Sequence, residues 1–496
     1  EVLREWIREG ALSDHNEARR CVGIEVFPRA SRVLHFPRAE QQLRVTATYS
    51  DGSRKDVTAL ASYSTSEPRV ASAAPNGLVT GRDRGEAALV VRYLDHVEST
   101  RLTFVREIPG FAWNDPDSSG YIDRLVHEKL KTLQYLPSEI CRDEVFLRRV
   151  YLDATGLLPP ADVAERFLDD ESPDKRPRLI DRLLDSPEYA RFWALKMSDR
   201  LQVNPQLLPQ GGDRRYGDWI LQTVKDNMPF DQFARELLTA SGKASVVPAV
   251  HYFSIAPNTD VVTETTSQLF LGSRLQCAKC HNHPFEKWTQ DDYYSISAAF
   301  AQVQRKNATA GNKKVMEVAL GAKMKITHPV KGHEMAPWPP TEKPMETGDR
   351  RRRFADWLTR PGNPYFAKVE VNRIWAEVMG RGLVEPVDDF RSSNPPTNSP
   401  LLNALAEDFE NSEFDRKHVL RTILNSRVYQ RSSLPNDFNK DEERLGSRNV
   451  PRLLVAEQLL DAIVRVSDPL ENDRRAKEQL TKLQEQRDAL IEKHRS

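Results

Sequence analysis

Long apolar runs are missing from this chain of 496 residues: none approaches the ~18 consecutive residues that a membrane-spanning helix needs. Net charge is missing too. Lysine plus arginine balance aspartate plus glutamate at 72 each, so no global field would draw nucleic acid or an anionic membrane. Cysteine is scarce, and four in a chain of this size do not make a disulfide scaffold. Cys21 and Cys141 lie far apart and read as free buried thiols in preference to a bridge. There is no P-loop, no dinucleotide fingerprint and no G-x-S-x-G, which removes the commonest nucleotide and acyl-transfer chemistries.

What is present is concentrated in five residues. Cys277-Ala278-Lys279-Cys280-His281 is a C-x-x-C-H, expected by chance in roughly one chain of this composition in a thousand. The spacing suits covalent attachment of a c-type haem. Two thiols one turn apart can each add to a haem vinyl group, and the adjacent imidazole of His281 then falls beneath the iron as proximal ligand. Zinc is a rival reading, because Cys277, Cys280, His281 and His283 supply enough donors for a tetrahedral site. A dithiol redox pair is a third, although no thioredoxin-like βαβ pattern surrounds it.

Around the motif, Arg274, Lys279 and Lys287 are candidates to pair with haem propionates, and Phe285, Trp288 and Tyr293 to wall the ring. For a sixth ligand, Met324, His333, Met335 and His251 are open alternatives to His328, as is a five-coordinate or water-ligated iron. Glu286, Asp291 and Asp292 could do acid–base work, and Asp388, Asp389 and Asp153 invite the same thought. Helix capping and buried ion pairs explain these carboxylates as well. The run Arg350 to Arg353, flanked by Asp349 and Asp356, reads as a solvated helix face.

The length predicts about three domains. Residues 20–108 read as short strands: Leu43, Val45, Ala47 and Tyr49 alternate with polar neighbours, Asp51-Gly52 is a hairpin turn signal, and a further strand fits Ala87 to Tyr93. A β-sandwich is the expectation. From about residue 115 the period becomes helical, with helices expected at Tyr121 to Leu133, at Val145 to Leu152, and near 161–169, 174–185, 187–202, 215–227, 230–241 and 261–272. Residues 303–348 read as an irregular connector with a small hairpin at 315–327. Helices resume at 350–359, 364–380, 399–411, 415–428 and 450–466. A charged helix is expected over 472–495.

Two stretches carry resemblances. Leu43 to Ser53, then Asp56-Val57-Thr58 and Asn76-Gly77-Leu78-Val79-Thr80, resemble the group 2 bacterial immunoglobulin-like domain, a frequent module of extracytoplasmic proteins. Arg149 to Pro160, Gln268 to Gly272 and Arg274 to Tyr294 resemble a planctomycete-type cytochrome-like family of unknown function. Its usual companion domain is similar to residues 349–496, through Asn363 to Phe366, Val371 to Trp375, Gly380 to Phe390 and Ser426 to Gln430.

These resemblances imply a multidomain chain: an immunoglobulin-like β-sandwich at 20–108 followed by two mostly α-helical domains, at 115–302 and 349–496. Residues 1–19 resemble the end of an upstream cytochrome c-like domain. His328 resembles a recurrent family position, which makes it the leading distal-ligand candidate. The function expected is that of an extracytoplasmic haem protein passing electrons to a redox partner protein or to that upstream domain. A haem-free surface protein binding glycan or another protein, and a polysaccharide-active enzyme, are the alternatives.

Overall fold

Alternation at Leu43, Val45 and Ala47 becomes the start of a strand, Arg44–Tyr49, with Leu43 just ahead of it and all three side chains completely buried. The computed structural model describes residues 2–8, 19–29, 31–208, 211–256, 258–283, 288–310, 313–321, 325–339, 348–467 and 481. In chain order its N-terminal strands are β1 (Cys21–Phe27), β2 (Arg32–His35), β3 (Glu40–Gln42), β4 (Arg44–Tyr49), β5 (Arg54–Asp56), β6 (Ser62–Thr65), β7 (Ala71–Ala73), β8 (Leu78–Gly81), β9 (Gly85–Tyr93) and β10 (His96–Val105). They form three sheets, ordered β1-β4-β5, β2-β10-β9-β6 and β3-β8-β7. All pairings are antiparallel except β2 with β10. The turn at Asp51-Gly52 is present, with Gly52 at φ 79° and the Asp51 carboxylate accepting from the Ser53 N–H at 2.9 Å. One apolar core, including Val26, Val45, Val79, Leu89, Leu102 and Phe104, holds this β-rich unit together.

The β-rich unit is fastened to the helices by polar contacts. Glu86 of β9 pairs with Lys129, both largely buried. Arg84 lies 3.9 Å from the centre of the Tyr135 ring and donates to the Gln134 carbonyl at 2.8 Å.

The helices follow the expected periodicity closely, from Tyr121–Thr132 and Asp143–Thr155 through Gln290–Phe300 to Ser399–Asn411 and Arg416–Asn425. The second of these stops at Gly156, whose φ of 75° closes the last turn where a side chain would be strained. The expected helix over 261–272 is an α-helix, Thr259–Thr266, continued by a π turn over Ser267–Leu271.

Three expectations change. The two helical segments do not have separate cores, because one apolar cluster runs from Ile122 to Tyr429. At its centre Phe230 stacks on Phe233 and on Phe366 (5.1 Å between ring centres), with Phe270 and Phe409 alongside. The connector is also less irregular than its composition suggests. It opens with a hairpin of Val303–Ala310 and Lys313–Leu320, earlier than 315–327, and Gly242–Lys243 adds to its edge.

The basic run, finally, is not a solvated face. Arg351 is fully buried, donating to the carbonyls of Thr239 and Ala240 and to Asp349, and Arg350 is buried beside Ala298 and Gln302. The last carbonyls of the helix Phe230–Thr239 lack N–H donors within that helix, and the guanidinium supplies them. A short helix, Val2–Arg8, lies within the segment expected to close an upstream domain, while 9–18 and, Thr481 apart, the expected helix at 472–495 lie outside the described residues. No helix of the described residues is long and apolar enough to cross a membrane.

Candidate functional site

The C-x-x-C-H segment begins where the π turn ends. Gly272, at φ 59°, terminates that turn, and a Cβ there would lie 2.6 Å from Phe390. The close approach is used: the Phe390 N–H donates to the Gly272 carbonyl at 2.8 Å. A single 3₁₀ turn, Gln276–Lys279, then carries the motif, with Leu275 and Ala278 buried beneath it.

This alternation leaves both thiols exposed, with Cys277 and Cys280 free. His281 is exposed as well, and its Nδ1 lies 2.7 Å from the Asn282 carbonyl. A carbonyl only accepts, so Nδ1 carries the proton and Nε2 keeps its lone pair. That is the tautomer a metal-ligating histidine adopts. The donor set of a c-type haem, two reachable thiols and an imidazole with a free Nε2, is therefore present on one turn.

Two residues that sequence reasoning missed hold this turn. Gln290 donates through its side chain to the Lys279 carbonyl (2.9 Å), and its own N–H donates to the Asn282 side chain (3.0 Å). The pattern Thr289-x-x-Asp292 marks the helix start that places Gln290, and it forms a capping box there. Asp292 is thus a capping residue.

The remaining expected residues divide clearly. Arg274 and Lys279 are committed to carboxylates, Arg274 to Asp388 at 2.7 Å and Lys279 to Asp260 at 2.8 Å. Trp288 and Tyr293 are buried in the protein core, Trp288 against Tyr365 and Trp338, and Tyr293 with its hydroxyl on Glu264. Phe285, Glu286 and Lys287 lie outside the described residues, as does Met324. His283 is buried while its three would-be co-ligands are exposed, and its pKa is lowered by burial and then by Arg391. Among the described residues no three His, Cys, Asp or Glu side chains gather as a metal site, the set Cys277, Cys280, His281 and His283 included.

His328 is brought near the motif. Its ring centre is 5.7 Å from that of Tyr294, whose hydroxyl donates to the Lys279 carbonyl at 3.1 Å. His328 is buried, and its Nδ1 accepts the backbone N–H groups of Val330 (3.2 Å) and Lys331 (3.1 Å). Its Nε2 therefore bears the proton of the neutral ring. It faces Asp291 Oδ1 at 3.2 Å, off the line of a hydrogen bond. Ligation through Nε2 would require giving up this tautomer. His333 stacks on His328 and is exposed, and Met335 is buried. His251 is buried too, with its pKa lowered to about 4 by burial and by Arg215.

Residues of the C-terminal segment brace the motif from behind. Arg373 donates to the carbonyls of Gln268 (2.8 Å) and Leu269 within the π turn. Asn372 exchanges two hydrogen bonds of 2.9 Å with the backbone of Val384, fixing the loop that presents Asp388. Asp388 then takes both Arg274 and Gln268. Asp389 pairs with Arg391 at 2.6 Å, and Asp153 is a buried partner of Arg452 and of the Tyr429 hydroxyl (2.8 Å).

Comparison with known proteins follows the same division. Residues 121–305 match the PSCyt2 family model, described as a protein of unknown function (DUF1549), and residues 350–496 match the PSD1 model, likewise described as a protein of unknown function (DUF1553). No curated protein matches the chain. On one shared core the helical body thus joins two segments similar to planctomycete-type families of unknown function.

Proposed function

We propose that this chain is an extracytoplasmic c-type haem protein that passes electrons at the cell envelope, with Cys277, Cys280 and His281 holding the cofactor. One observation carries the reading: both thiols and the His281 Nε2 are available on a single exposed turn, with the tautomer of His281 set by the Asn282 carbonyl. When bound, the haem supplies reversible one-electron chemistry at its iron. The chain's own part is to fix the turn through Gln290, Asn282 and Asp388 and to keep it at the surface, where a redox partner protein or an upstream cytochrome domain can approach. The β-rich unit, with its resemblance to immunoglobulin-like modules, fits an extracytoplasmic location, as does covalent haem attachment itself.

The test is a haem-stained denaturing gel with a reduced-minus-oxidised spectrum, on protein exported through a cytochrome c maturation system. A covalent stain that disappears in the Cys277→Ala/Cys280→Ala variant is the expected result. A colourless parent protein, with or without stoichiometric zinc, overturns the reading.

A further inference from the structure

The sequence blocks that brace the motif also converge on a cleft of about 500 Å³, between the helices Pro187–Arg200 and Phe366–Met379 and the loop that follows the second. That is within the usual size range of small-molecule sites. Its charged lining is Arg200, Arg373, Arg381, Glu377, Glu385 and Asp388.

The carboxylates are already engaged. Glu377 is held by Lys196 and by Arg200 (3.1 Å), Asp388 by Arg274 and Gln268, and Glu385 accepts the Gly382 N–H at 2.9 Å. Of the guanidiniums only Arg200 is matched to the same degree, by Glu377. Arg373 is buried, spends its hydrogen bonds on two backbone carbonyls, and reaches Glu370 only at 3.8 Å. Arg381 has no hydrogen-bond or ion-pair partner among the described residues, and its Nε is sealed from solvent without an acceptor. Its side chain also lines the adjoining cavity of about 270 Å³ under the β-rich unit.

A half-buried guanidinium is costly to leave unpaired, and its planar fork matches an oxyanion. We propose that this cleft binds a small molecule bearing an oxyanion, a carboxylate or a phosphate or sulfate ester, with the two terminal nitrogens of Arg381 as the bidentate contact and Arg373 supplying positive field from the cleft floor. The proposal is independent of the haem reading, since none of the residues involved belongs to the C-x-x-C-H turn.

The test is isothermal titration of the full chain, with whatever cofactor it carries, using sodium phosphate, sodium sulfate and sodium glucuronate in turn at matched ionic strength in chloride. Saturable binding of at least one anion is expected, and which one separates the carboxylate source from the phosphate and sulfate sources. Arg381→Gln should weaken that binding about tenfold or more, and Arg381→Lys, which keeps the charge without the fork, by less. No saturable binding of any of the three overturns the proposal. So does binding unchanged in Arg381→Gln with an unaltered circular dichroism spectrum. Should Arg381→Gln fail to fold, unchanged affinity in Arg381→Lys and in a folded Arg381→Met variant is the overturning result.

Discussion

Arg274 and Asp388 are 114 residues apart in sequence and meet at 2.7 Å, three residues before the first cysteine of the motif. The contact places the C-terminal segment in direct control of the segment that carries the thiols. Asp388 also takes the side chain of Gln268, so one carboxylate ties both ends of the stretch leading into the motif.

Replacing Asp388 with Ala should therefore loosen that stretch before it unfolds the protein. Arg274 is half exposed, which discounts the ion pair, and a global loss of about 1–2 kcal/mol is expected. Amide hydrogen exchange followed by mass spectrometry should show residues 268–280 losing protection ahead of the helices that pack around them. Uniform loss across the helical body would contradict the local role.

The His281→Gly variant probes the ligand assignment. With both thiols retained, matured protein should keep covalent haem but change its visible spectrum, and added imidazole should restore the parent spectrum. An unchanged spectrum in the variant would remove His281 as the iron ligand.

Acid should destabilise the fold through two buried histidines. Burial, with Arg431 for His127 and Arg215 for His251, lowers each pKa to about 4. Their unfolded value is near 6.5. The unfolded chain thus binds protons that the native state refuses between pH 6.5 and 4. Stability is full above pH 6.5 and falls toward pH 4, by at most about 1.4 kcal/mol per pH unit for each histidine. Urea unfolding at several pH values should give a shallower slope for His127→Gln and His251→Gln than for the parent. Slopes identical to the parent in both variants would reject the assignment.

Arg351 offers the largest single effect on stability. Truncation to Ala would leave Asp349 with a backbone N–H but without its guanidinium partner, and would remove the guanidinium from the carbonyls of Thr239 and Ala240, all in a buried setting. A loss of about 3–5 kcal/mol is expected from denaturant midpoints, with Arg351→Lys recovering part of it. A loss under about 1 kcal/mol for the Ala variant would show that water replaces the guanidinium.

Arg351 also shows where the sequence stops being readable. Periodicity located the helices because helical spacing and Gly or Pro stops are local. Gly156 closes the helix Asp143–Thr155 where such a signal puts it. Four consecutive arginines carry no local sign that two of them turn inward, Arg351 to the open end of a helix more than a hundred residues earlier and Arg350 to Ala298 and Gln302. The same holds for the motif. That the two thiols and His281 share one turn was legible from spacing. The burial of His283, the tautomer of His328 and the clamp by Asp388 all depend on partners brought by the fold.

The shared core has a consequence for how the molecule can be divided. Phe230 and Phe270 precede the hairpin at Val303, whereas Phe366, Phe409 and Phe414 follow it, and they stack as one aromatic centre. A chain cut within the stretch between 321 and 348 would yield two halves, each presenting a raw apolar face shaped for the other. Neither half is then expected to be a self-sufficient module: co-expressed, the two should reassemble across the cut, and expressed singly, each should aggregate.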